Sequence, residues 1–181
     1  MGDLPKRVAL VYDRVNKWGG AERVLLALHE LFPEAPLYTS VYQPKKAAWV
    51  KVFPKVIPGF LQKIPLAQSF HEIIPFLTPV SFENFRFDDY EAVISVTSAD
   101  AKGIITSPRT FHLCYCLTPT RYLWSHYEDY CANLNPLEKL ISKPVFNYLK
   151  WWDQIASRRP DVYIAISNTV RDRIKKYYHQ D

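Results

Sequence analysis

The 181-residue chain is predicted to be α/β, with a parallel sheet flanked by helices. Three observations carry this expectation. Short apolar runs rich in β-formers recur along the chain. Stretches with apolar residues at helical spacing lie between them. A glycine pair follows the first apolar run and opens the first helical stretch. Strands that alternate with helices pair in parallel, and the helices cover both faces of the sheet.

The opening unit is the clearest. Arg7-Val8-Ala9-Leu10-Val11-Tyr12-Asp13 is a short apolar run and reads as a buried strand over 7–12. Gly19-Gly20 then opens a helix over 20–32, in which Ala21, Val24, Leu25, Leu28 and Leu31 recur at helical spacing. A helix starting this way aims unpaired N–H groups and the positive end of its dipole above the strand. Such a geometry suits a diphosphate or another anion. The same glycines also fit a tight turn that lets the helix pack on the sheet. Neither G-x-G-x-x-G nor G-x-x-x-x-G-K-[ST] is present, so the dinucleotide fingerprint and the P-loop are excluded.

The remaining elements follow in order. Pro33 ends the first helix. Residues 37–42 read as a strand closed by Pro44, and 45–50 as a short helix. Val52-Phe53 and Val56-Ile57 read as short extended pieces. Prolines 58, 65, 75 and 79 break 58–86 into short helical segments rich in apolar residues, from Phe60, Leu61 and Ile64 to Phe76 and Leu77. Those segments fit core helices. They also fit a partly exposed surface beside Lys51, Lys55 and Lys63 that meets lipid or a lipid-linked acceptor. Tyr90 to Val96 is a strand, Gly103 to Thr106 a short extended piece, and Phe111 to Leu117 a strand stopped by Pro119. Tyr122 to Tyr130 reads as helical and aromatic. Asn135-Pro136 supplies a cap and first-turn pair for a helix reaching about 157. Its expected apolar face is Leu137, Leu140, Ile141, Val145, Tyr148, Leu149, Trp152, Ile155 and Ala156, with Pro144 kinking or splitting it. Asp161 to Ser167 is the last strand. Ser167 or Asn168 caps a final helix that turns Val170, Ile174 and Tyr177 inward. With no internal repeat and no linker, residues 1–181 read as one domain.

Composition excludes some functions and leaves others. Hydrophobic residues make up 48% of the chain, a globular proportion. A net charge of +5 suits a phosphorylated substrate, an anionic membrane surface or nucleic acid. Nucleic acid is the poorest of these, because the basic residues are scattered among acids rather than gathered on one element. No run of ~20 apolar residues would span a membrane. The first strand begins almost at once, with no leader pattern before it, and the three cysteines form no framework. A cytosolic, reducing location is the expectation.

Ligands of parallel α/β sheets sit outside the carboxyl ends of the strands. That rule gathers Asp13 and the 13–23 loop, Thr97-Ser98, Thr118 to Trp124, and Ser167-Asn168. The densest of these is Thr118-Pro119-Thr120-Arg121-Tyr122-Leu123-Trp124-Ser125-His126-Tyr127. An arginine among aromatics can bind phosphate while the rings stack. It can equally form a structural ion pair among core aromatics. Asp13 is either a polar site residue or the acceptor of a local turn. His126 is either an acid–base group or a surface histidine. His112, Cys114 and Cys116 share one strand face but lack the further ligands zinc needs, which fits a buried strand. No G-x-S-x-G is present, so Ser95, Ser98 and Ser167 lack a nucleophile-elbow context.

Four stretches together resemble the N-terminal, acceptor-side domain of GT-B-fold retaining glycosyltransferases of family 4, the mannosyltransferase-like group. They are Gly19-Gly20-Ala21-Glu22-Arg23-Val24, the segment from Ile94 to Gly103, the segment from Tyr115 to Trp124, and Ala165 to Val170 continuing to Tyr177. The resemblance implies a Rossmann-like domain forming one half of a GT-B fold. It also implies sugar transfer from a nucleotide-sugar donor to a glycan or lipid-linked acceptor, without a bound metal or other cofactor. The strand-end rule and the resemblance together give the expected substrate-binding residues: Asp13, Gly19, Gly20, Glu22, Ser98, Thr118, Arg121, Tyr122 and Trp124. Catalytic residues stay unassigned. Leu117 stands where many relatives have histidine, and Ser125 where many have aspartate. Relatives continue into a second domain that holds most donor contacts and paired glutamates. This sequence stops at Asp181 with no such segment, so the expectation is an isolated half, inactive alone and peripheral at the inner membrane face. The alternative is a non-catalytic α/β module that holds an anionic lipid or a protein partner.

Overall fold

The computed structural model describes residues 5–64, 76–132 and 135–180. Six strands form one all-parallel sheet: β1 (Val8–Tyr12), β2 (Leu37–Thr39), β3 (Val56–Pro58), β4 (Ala92–Thr97), β5 (Phe111–Cys116) and β6 (Val162–Ala165), in the spatial order β3-β2-β1-β4-β5-β6. The helices are α1 (Gly20–Leu31), α2 (Leu77–Glu83), α3 (Tyr127–Ala132), α4 (Pro136–Ala156) and α5 (Asn168–Tyr178). This is the predicted α/β architecture, a parallel sheet flanked by helices and consistent with a Rossmann-like fold. Strand order reverses between β1 and β4, which places the topological switch point there.

The two sheet faces are built differently. One face of β1, β2 and β4, carrying Leu10, Leu37 and Ile94, packs under Leu25 of α1. On the other face, Ala9, Val11 and Val93 meet Phe82, Phe87, Ala101 and Ile104. Further along, Cys114 and Cys116 of β5 meet Val170, Ile174 and Tyr178 of α5. Every residue of β1 and β4 is buried, as expected of strands covered on both sides.

Several boundaries differ from the sequence reading, each for a local reason. β2 stops at Thr39, because the Ser40 hydroxyl turns to the Asp13 carbonyl at 2.5 Å and only the Val15–Tyr42 bridge continues the pairing. The short helix expected at 45–50 is a 3₁₀ turn at Ala48–Val52, so Val52 is not extended. Gly103, expected to open a short extended piece, instead ends a 3₁₀ turn at Ala101–Gly103, and the backbone is extended at Ile104. Residues 121–126 form successive turns, so helix α3 begins only at Tyr127. Helix α4 runs unbroken past Pro144 and starts with a full capping box between Asn135 and Glu138. Its expected apolar face is only partly used. Leu149, Trp152 and Ala156 are buried, whereas Leu140 is 71% exposed and Tyr148 and Ile155 are also exposed. In α5 the residue turned inward is Tyr178, with Tyr177 packed at the margin.

Within 58–86, Leu61, Phe82 and Phe85 are core residues and Phe76 is exposed. The expectation for Leu66, Phe70, Ile73 and Ile74 falls outside the described residues. No helix among the described residues is long and apolar enough to cross a membrane.

Candidate functional site

The carboxyl ends of β1 and β4 meet at the switch point, and Asp13 joins them. Its carboxylate accepts from Thr97 Oγ1 at 2.8 Å and from the backbone N–H groups of Ser98, Asp100 and Ala101 at 2.7, 3.0 and 2.9 Å. A short acidic residue directly after a strand can reach the neighbouring strand's exit, and here it fixes the turn over 97–101. Both Asp13 oxygens are engaged by that turn.

A second buried layer fastens the Thr118–Trp124 loop. Lys102 and Asp153 are both fully buried, with Nζ 2.5 Å from Oδ1. Asp153 also accepts from the Thr120 hydroxyl at 2.9 Å and the Trp124 indole N–H at 2.7 Å. Lys102 donates to the Ala99 carbonyl at 2.5 Å. Burial pulls the Lys102 ammonium down, but the charge and hydrogen bond of Asp153 overcome it and hold its pKa above the ordinary value. The Tyr178 hydroxyl accepts from the Thr120 N–H at 3.3 Å, and Trp124 stacks on Tyr177. Thus Thr120, Leu123 and Trp124 point inward, which turns Arg121 and Tyr122 the other way.

The result is a pocket of about 350 Å³ above the switch point. Its walls are Tyr12 to Arg14, Asn16 and Lys17 on one side, Ser98 and Ala99 at the base, and Arg121 and Tyr122 on the other. The volume falls within the usual range for small-molecule sites, about 300–1,000 Å³. Arg14, Lys17 and Arg121 bring three cations to its lining. The Arg121 and Lys17 side chains make no hydrogen bond or ion pair with a described residue. Burial, then the charge of Asp100, pushes the Tyr122 phenol well up, so it stays a neutral donor. Burial likewise raises the Asp100 carboxyl, to about 7.

Four of the nine expected site residues, Asp13, Ser98, Arg121 and Tyr122, therefore line one pocket. Gly19, Gly20, Glu22, Thr118 and Trp124 are not in its lining. Glu22 is buried and accepts from the Tyr12 hydroxyl at 2.7 Å, tying the first turn of α1 to the end of β1. Gly19 caps α1 in extended backbone, and a Cβ on Gly20 would meet nothing. Gly20 thus leaves open space at the helix N-terminus, whereas a Cβ on Gly19 would come within 3.1 Å of a Glu22 carboxylate oxygen. Thr118 is buried, 3.4 Å from an Arg173 nitrogen. His126 is exposed, and its ring Nδ1 lies 2.8 Å from the adjacent Ser125 hydroxyl.

Sequence reasoning took the 13–23 loop as a unit and did not single out Arg14, Asn16 or Lys17. Their place just after a strand end was the available signal. It also missed Lys102 and Asp153. Asp153 sits between Leu149 and Ala156 on the buried side of α4, a polar residue where helical period calls for an apolar one.

His112 is buried, with Nε2 2.9 Å from the Ser95 hydroxyl, and burial lowers its pKa to about 4. Among the described residues, no group of three metal-capable side chains converges. A larger hollow of about 470 Å³ lies between β6 and the start of α5, but its one cation, Arg171, is already paired with Asp172. The switch-point pocket is therefore the better candidate, because unengaged cations and the fold's ligand position coincide there. No family model, no curated protein and no solved structure matches this chain.

Proposed function

We propose that this chain is the acceptor-binding domain of a retaining glycosyltransferase, which moves a sugar from a nucleotide-sugar to a glycan or lipid-linked acceptor at the cytoplasmic side of a membrane. One observation supports this most: Arg14, Lys17 and Arg121 face one small pocket at the switch point, with the Tyr122 ring beside them. Loss of a nucleoside diphosphate from a sugar develops negative charge on the leaving oxygens. Fixed cations and N–H donors stabilise that charge, most strongly where water is excluded. The bare N-terminus of α1 adds oriented N–H groups to the same end of the sheet. The Tyr122 ring gives a sugar face something apolar to lie on.

On this reading the domain holds and orients, and it supplies no covalent nucleophile. Asp13, the carboxylate in the pocket wall, has both oxygens tied to the 97–101 turn. Turnover on this reading needs a second, donor-side wall closing over the pocket. The reading is tested by titrating the chain with a nucleotide-sugar panel and an oligosaccharide panel, followed by amide NMR shifts. Shifts centred on Arg14, Lys17 and Arg121 that disappear in Arg121→Ala support it. Nucleotide-sugar-dependent transfer by this chain alone would refute the division of labour. The same cations favour a second reading, a non-catalytic module for an anionic lipid or protein partner. Under that reading anionic lipid headgroups shift these residues and sugars do not.

A further inference from the structure

We infer that the outer face of α4 is a contact surface for an anionic lipid bilayer. Leu140, Pro144, Tyr148, Trp151 and Ile155 recur at spacings of four, four, three and four, so they form one stripe along the helix. Leu140 is 71% exposed and Trp151 61%, and Tyr148 and Ile155 are exposed beside them. The buried side of the same helix, Leu149, Trp152 and Ala156, already packs on the domain. The stripe is thus a second apolar face that the fold does not consume. Trp152 donates to Glu83 of α2, and Val80 of that helix and Phe76 just before it are exposed as well.

Charge decides among occupants. Lys139 and Lys143 are exposed beside the stripe and Arg158 is exposed past its end, whereas Lys150 turns back over the Tyr127 ring. The acids of α4 are both engaged, Glu138 in the capping box and Asp153 with Lys102. An apolar stripe with an aromatic anchor and exposed cations at Lys139, Lys143 and Arg158 matches an interface whose core is apolar and whose rim is negative. A second copy of the chain would set these like charges against each other. Lysine stems can lie along the apolar boundary while their ammonium groups reach the headgroups. The face is separate from the switch-point pocket, so this inference does not depend on the transferase reading.

The test is co-sedimentation of the whole chain with vesicles of phosphatidylcholine alone and with added phosphatidylglycerol, at low and physiological salt. The expected result is binding to the anionic vesicles that weakens with salt. Trp151→Ser and Leu140→Ser should each reduce partitioning by about tenfold, given the apolar area lost. Replacing Lys139 and Lys143 with glutamine should reduce it by roughly tenfold or more. These side chains are exposed, so the thermal midpoint should hold in each variant. Leu31→Ser is the control: Leu31 is equally exposed but on α1, over the opposite face of the sheet, and should bind like the parent. Equal partitioning of the stripe variants and the parent overturns the proposal. So does absence of vesicle binding alongside concentration-dependent dimerisation that Trp151→Ser abolishes.

Discussion

Two polar layers lie at the same end of the sheet and behave in opposite ways. In the lower layer, Lys102 and Asp153 are sealed from water and surrounded by partners: Thr120, Trp124 and the Ala99 carbonyl. In the upper layer, Lys17 and Arg121 have no partner among the described residues and face open space. The contrast shows how the loop from Thr118 to Trp124 is made. Buried charge fixes the loop's inward residues, and that anchoring holds its outward residues ready for a ligand. Substitutions below should therefore change folding, and substitutions above should change binding while folding persists.

The largest effect is expected at the ion pair. Lys102→Ala leaves Asp153 charged and buried with only two neutral donors, and breaking such a pair costs about 3–5 kcal/mol. Denaturant unfolding should show that loss. The double variant Lys102→Met with Asp153→Leu should recover only part of it, because the Thr120 hydroxyl and Trp124 indole then lack their acceptor. Full recovery would show that the layer is a plain ion pair and not an anchor for the loop.

Asp13→Ala comes next. It removes the acceptor for the buried N–H groups of Asp100 and Ala101, the half-buried Ser98 N–H and the buried Thr97 hydroxyl, so a loss of about 2–4 kcal/mol is expected, at about 1–3 kcal/mol for each buried group left unsatisfied and with partial relaxation of the turn. Amide exchange should speed up first at Ser98, Asp100 and Ala101. If those amides keep their protection, Asp13 is not what holds the turn.

How far these layers were legible in the sequence follows from the same physics. Strand and helix order could be read from local patterns, since Val8–Tyr12 is an unbroken apolar run and Ala92–Thr97 is a β-former-rich run interrupted only by Ser95 before its final Thr97. The position of the pocket was legible too, because the rule about strand ends needs only the order of elements. Which residues turn into it was not. Arg121 and Thr120 are neighbours in a loop without periodicity, and their opposite directions are set by Asp153, more than thirty residues away. A pairing of that kind leaves no local trace. The surplus apolar face of α4 misled in the other direction. Leu140 and Tyr148 carry the signature of core residues, yet the domain does not cover them.

A smaller, pH-dependent effect is expected at Asp100. Burial raises its folded pKa to about 7 from an ordinary value of 3.8. Between those values the folded chain keeps a proton that the unfolded chain has released. Stability from this group therefore falls as pH rises from about 4 to about 7 and is level above that. Asp100→Asn should remove this slope and be more stable than the parent at pH 8 by on the order of 1–3 kcal/mol. His112 acts in the opposite sense, since burial lowers its folded pKa to about 4, so stability from it rises with pH up to about 6.5. Only the difference between parent and Asp100→Asn isolates the carboxyl. Unfolding curves for both proteins at pH 5 and pH 8 measure that difference. Equal curves at pH 8 would mean that Asp100 ionises at its ordinary value.

The smallest effect on stability, and the sharpest test of the two-layer contrast, is expected at Arg121. Its side chain is exposed and makes no bond to a described residue, so Arg121→Ala should change unfolding free energy by no more than about 0.5 kcal/mol. Binding should respond differently. A guanidinium hydrogen-bonded to an anion contributes about 1.5–3 kcal/mol, so affinity for a nucleoside diphosphate should fall by at least tenfold. Arg121→Lys should restore only part of the loss, because a point charge replaces attraction but not the paired N–H geometry. Raising salt should narrow the gap between Arg121→Lys and Arg121→Ala more than the gap between the parent and Arg121→Lys, since long-range attraction is screened and direct hydrogen bonds are less so. If Arg121→Ala destabilises the fold as much as Asp13→Ala does, the arginine belongs to the lower layer. The pocket would then lose the cation that links the Thr118–Trp124 loop to its ligand.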